Sequence, residues 1–128
     1  VRAENSGNVQ PELILGDGGS IDTGNNYASR GSVNGGTDWT RTSQDSIESE
    51  HATASPIYGS CFGVNVANRE KLWIIHWNYE NTGAGNAPER IETVGKWANT
   101  SAQANTIGFK ESSNGDYTDS RFRLWGSD

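Results

Sequence analysis

Apolar and polar residues alternate with a period of two along much of the chain, and helical periodicity is almost absent. In residues 71–79, KLWIIHWNY, Trp73, Ile75, Trp77 and Tyr79 fall on one face of a strand and Leu72, Ile74 and His76 on the other. Both faces are largely apolar, which predicts a central strand in a two-layer packing. Residues 58–67, YGSCFGVNVA, alternate more loosely and are expected to pair with it through the turn Asn68, Arg69, Glu70. Further strands are predicted at 12–15, 27–30, 90–97, 105–110 and 121–125. In the last of these, Phe122 and Leu124 are expected to point inward, with Arg121 and Arg123 outward. Residues 43–54, SQDSIESEHATA, hold Ile47 as their single large apolar residue, so they have no helical face to bury and read as an exposed loop or strand edge.

The connectors carry turn chemistry. NTGAGNAPE at 81–89 is a loop with a proline stop, and SSNGD at 112–116 contains Asn114–Gly115, a pair that tolerates positive φ at both central positions of a hairpin. Short strands about ten residues apart, separated by such turns, predict an all-β antiparallel sandwich. No internal repeat or domain boundary is visible, so residues 1–128 read as a single β-sandwich domain.

Composition sharpens this picture. The apolar fraction is 32% and there are 16 Gly, yet five Trp, four Tyr and three Phe supply large side chains, so a small aromatic core wrapped in polar loops is expected. The formal net charge is −6, with three Lys beside seven Arg, which argues against a nucleic-acid partner. An acidic, Lys-poor surface suits either a saline environment or an ordinary extracellular β-domain. No apolar run approaches the ~20 residues of a membrane helix, so no membrane insertion by a helix is expected. The chain opens on Val1 rather than Met, as a processed or excised segment would. Cys61 is single, and its apolar setting predicts a buried, inert thiol.

Residues 13–30, LILGDGGSIDTGNNYASR, and 115–126, GDYTDSRFRLWG, resemble two blocks of a domain met on tailed phages and archaeal tailed viruses, with VGKWANTSAQANTIGF at 94–109 between them. The resemblance runs from Leu13 to Gly126. It departs from the pattern at Asp119, which stands directly before Ser120 without the usual glycine, and in the inserted GSIDT before GNNY. The resemblance implies a jelly-roll sandwich on an exposed part of a virion: a capsid decoration, a turret or a tail fibre. Within the first block, Tyr27 and Arg30 are expected to anchor the loop. The Tyr27 hydroxyl would reach a backbone partner, and Arg30 would bond carbonyls or a carboxylate such as Asp17.

Residues able to carry chemistry are few. His76 inside its strand predicts a hydrogen-bonded, semi-buried structural imidazole. His51 after Glu48 and Glu50 is a weak zinc pattern, and Asp17, Asp22 and Asp116 in Gly/Asn-rich loops read as turn formers rather than Ca²⁺ ligands. Neither a metal nor a cofactor is expected. Nor is an enzyme: no nucleophile elbow, Walker loop, dinucleotide fingerprint or Cys–His pairing is present. Trp39, flanked by Asp38 and Arg41, either stacks on a glycan or begins a strand packed into the core or an interface. Trp125, set off from Phe122 and Leu124, is an interface candidate, and Asn99–Thr100–Ser101 is a glycosylation sequon. Taken with these features, the resemblance implies a non-enzymatic subunit of a virion surface that self-assembles with other virion subunits, with a host-surface glycan as a further candidate contact. The alternatives are a carbohydrate-binding module of a secreted enzyme, or an extracellular filament or surface-layer subunit.

Overall fold

Where side chains alternate in burial, the backbone extends and pairs, and in the computed structural model this produces ten strands and no helix among the described residues. Those are 1–126, with the side chain of Asn5 excepted. The strands are β1 (Arg2–Ser6), β2 (Pro11–Asp17), β3 (Ser20–Ile21), β4 (Tyr27–Val33), β5 (Trp39–Gln44), β6 (Ile57–Gly63), β7 (Lys71–Tyr79), β8 (Glu89–Trp97), β9 (Thr106–Glu111) and β10 (Asp116–Arg121). They form a seven-stranded sheet in the order β10-β1-β6-β7-β8-β4-β5 and a three-stranded sheet in the order β3-β2-β9. Every pairing is antiparallel. The arrangement is sandwich-like, as the alternation predicts.

The core lies between the two sheets. Leu13 and Leu15 of β2 meet Tyr27, Ile57, Ile75, Trp77, Tyr79, Ile91 and Trp97 of the large sheet, all of them buried. Three tryptophans of the inner face, Trp39, Trp73 and Trp77, each stand directly opposite a glycine on the neighbouring strand: Gly31, Gly63 and Gly59 respectively. At each glycine a Cβ would overlap the indole, so the missing side chain is what lets the ring lie flat across the adjacent backbone. Gly95 makes the same room for Ile47.

Four expectations are corrected. First, β7 is central as predicted, but only its Trp73 face is covered. Leu72, Ile74 and His76 are exposed, because the three-stranded sheet packs against one side of the large sheet and none of the described residues covers the other. Second, residues 43–54 follow the strand-edge alternative but are not an exposed loop: Ser43 and Gln44 end the edge strand β5, and Ile47 and Thr53 each form a single bridge. Ile47 bridges Leu13 through two backbone hydrogen bonds (3.0 and 2.9 Å) and is buried, together with Ser46 and Ser49. A single isoleucine suffices here because it plugs the space over Gly95. Third, Asn114–Gly115 closes no hairpin: β9 pairs with β2 and β10 with β1, so the dipeptide crosses between sheets without positive φ. Gly115 is needed instead for close approach to the carbonyls of Ser6 and Asn8. Fourth, the final strand spans 116–121 rather than 121–125. Arg121 pairs with Arg2, the first residue of β1, so the ladder stops there; Phe122 still stacks on Phe109 with ring centroids 5.2 Å apart, half-exposed, while Leu124 is exposed instead of inward-pointing.

Candidate functional site

The register of the large sheet turns its uncovered side into ordered rows. Phe62, Ile74, Val94 and Arg30 lie side by side across β6, β7, β8 and β4. Flanking this row on one side are Leu72 and Lys96, with Val64 beside Leu72 through its amide (2.9 Å to the Leu72 carbonyl). On the other side come Ser60, His76, Glu92 and Ser32, and beyond them Tyr58, Asn78 and Arg90. The apolar members are strongly exposed: Phe62 at 70%, Tyr58 at 65%, Leu72 at 59% and Ile74 at 52%. Scattered single apolar residues are ordinary on a protein surface, whereas these are contiguous across three strands.

Charges frame the patch. Lys96 Nζ pairs with Glu70 at 2.8 Å, and Arg90 lies 3.9 Å from Glu92. A shallow depression of about 220 Å³ lies over β7, β8 and β4, lined by Arg30, Asp38, His76 and Glu92 around Ile74 and Val94. His76 therefore faces outward, exposed and opposite Glu92 and Ser60, rather than semi-buried and hydrogen-bonded.

The loop anchor is built differently from the expected one. Tyr27 opens β4 and is buried; its hydroxyl donates to the Leu15 carbonyl (2.7 Å) and accepts from the Leu15 amide (3.0 Å), tying the two sheets together. Burial pushes this phenol up to about 12. Arg30 does not pin the loop to Asp17, since it projects from the outer face into the depression. Asp22 holds the loop instead, accepting from Trp97 Nε1 (2.7 Å), the Gly24 amide (2.8 Å) and Asn26 Nδ2 (2.9 Å). Partial burial opposes its charge, but these donors outweigh it and hold the carboxyl below its ordinary range. Asp17 faces Asn99 Nδ2 at 3.5 Å, and Asp116 is exposed at the start of β10.

The remaining candidates are dispersed. Trp39 begins β5 with its ring across Gly31, half-buried on the inner side, so it is packed against the core side of the sheet rather than free to stack on a sugar. Asp38 is exposed on the depression, whereas Arg41 turns inward to Glu48 and Glu50. Trp125 is 79% exposed. Asn99 caps its own turn by accepting from the amides of Ser101 and Ala102, and its carbonyl receives Lys71 Nζ at 2.7 Å. His51 pairs with Glu89 at 2.8 Å and sets its ring edge-on to Tyr79, away from a shared ligand site with Glu48 and Glu50. Among the described residues no group of three or more His, Cys, Asp or Glu is placed to hold a metal. Cys61 is half-buried against the core, and burial pushes its thiol up to about 12.

Sequence reasoning missed the outer patch because it took both apolar faces of β7 as buried. The signal was present in Phe62, Ile74 and Val94, which are apolar at matching positions on three consecutive strands. No protein-family model, curated protein or solved structure matches this chain. The viral resemblance therefore rests on its own residues.

Proposed function

We propose that this chain is a non-enzymatic assembly module of a virion surface, of the capsid-decoration, turret or tail-fibre kind, and that it works by packing the outer face of its large sheet against partners. The observation that carries this reading is the exposed row Phe62, Ile74 and Val94 with Tyr58 and Leu72 around it. Burying such side chains is worth about 25 cal/mol per Å², which favours association. The jelly-roll topology belongs to the same proposal. It is supported by the way the chain passes between sheets after β1, β3, β8 and β9. In this setting the acidic surface keeps the module soluble until it meets its neighbours, at the virion surface or outside the cell.

Size-exclusion chromatography with light scattering, in low and high salt, tests the reading. The parent chain is expected to form a defined homo-oligomer, and Ile74→Asp to be a folded monomer. A parent that stays monomeric at every concentration in both salts contradicts it. A second reading, a carbohydrate-binding module, is favoured by the depression, where Arg30, Asp38, His76 and Glu92 surround an apolar floor. Binding to polysaccharide that is lost in Asp38→Ala would select that reading.

A further inference from the structure

We infer that the outer face is covered by the same face of a second copy, the two large sheets stacked antiparallel about a twofold axis running across the strands through Ile74 and Val94. The inference rests on the assembly reading above and names its partner and geometry. Three observations point to it.

The first is area. Six exposed apolar residues, Tyr58, Phe62, Val64, Leu72, Ile74 and Val94, lie on or beside this face. At roughly 100 Å² each they offer on the order of 600 Å², most of the ~800 Å² per partner that a standard interface buries.

The second is the order of charges. Along β8 and into the turn before β7 the outer positions are Arg90, Glu92, Val94, Lys96 and then Glu70, which pairs with Lys96. The signs run plus, minus, neutral, plus, minus. Rotation about the row sets Lys96 of one copy against Glu92 of the other on β8, and brings Glu70, four residues before Ile74, over Asn78 of the second copy with Arg90 on the adjacent strand. A closed twofold contact requires this kind of self-complementarity.

The third is the axis row itself. Phe62, Ile74 and Val94 would meet their own counterparts, and identical apolar side chains do so without leaving a polar group unpaired. Arg30, at the end of the row, would approach its counterpart. Sheet twist makes the stacked sheets diverge toward that edge, and Asp38 and Glu92 line the same depression as Arg30.

Crosslinking on the full chain tests the geometry. In a Cys61→Ser background, Val94→Cys lies on the axis and is expected to join two copies through a short bismaleimide, whereas Tyr58→Cys, far from the axis, is not. Lys96→Glu is expected to weaken the dimer about tenfold, and Lys96→Glu combined with Glu92→Lys to restore it. An oligomer that crosslinks at position 58 but not 94, or a double variant no tighter than the single, overturns this geometry and leaves the assembly reading standing. A strictly monomeric parent overturns both.

Discussion

The Tyr27 hydroxyl and the Asp22 carboxylate show how single residues set this fold. The hydroxyl serves the amide and the carbonyl of Leu15 at once, so Tyr27→Phe leaves two buried backbone groups of β2 without that partner. We expect a loss of about 1–3 kcal/mol in urea unfolding, with the fold retained; an unchanged midpoint would show that the tie is dispensable. Asp22 is held below its ordinary value of 3.8 in the folded state. Its contribution is therefore fully present above that value and is lost as pH falls through the lower, folded one. Asp22→Asn should cost about 1 kcal/mol at neutral pH, and parent and variant should converge in stability in strong acid. A constant difference across the acid range would contradict this assignment. Glu48 carries the opposite sign, since burial and the nearby Glu12 and Glu50 raise its pKa while Arg41 opposes them. Its ionisation costs stability as pH rises through the raised folded value. Glu48→Gln should accordingly raise the unfolding midpoint near pH 7 and leave it almost unchanged near pH 4; a fall at neutral pH would show that the Arg41 pairing dominates.

At the scale of elements, a strand was legible wherever alternation was strong: β2, β4, β7, β8 and β9 lie at or within a residue or two of their expected starts. The failures share a cause. A two-residue period reports which side chains share a face but not whether anything covers that face, so Leu72 and Ile74 were assigned to a buried layer that the small sheet never provides. Likewise Ile47 looked isolated because its partner, Gly95, is marked by the absence of a side chain. The glycine–tryptophan pairs could have been found by asking which Gly residues stand opposite Trp once β6 and β7 are aligned. They yield a sharp test. Gly59→Ala would drive a methyl into the Trp77 ring, and overpacking of this kind costs about 1–3 kcal/mol. Gly85→Ala, where nothing lies near, should be close to neutral. Equal effects at both positions, measured by chemical denaturation, would contradict the packing role of Gly59.

For the whole molecule, the decisive feature is unequal sheets: seven strands against three, with one side of the larger sheet uncovered among the described residues. Of the candidate site, Asp38 and Arg30 were visible in the sequence, but the depression they share with His76 and Glu92 depends on the register of β4, β7 and β8. Hydroxyl-radical footprinting with mass spectrometry, run from dilute to concentrated protein, tests the central claim most directly. Oxidation of Tyr58, Phe62, Leu72 and Ile74 should fall together as the chain associates, while that of Leu124, exposed beyond the end of β10, stays high. If those four residues remain equally reactive at every concentration, the outer face is not a contact surface between copies.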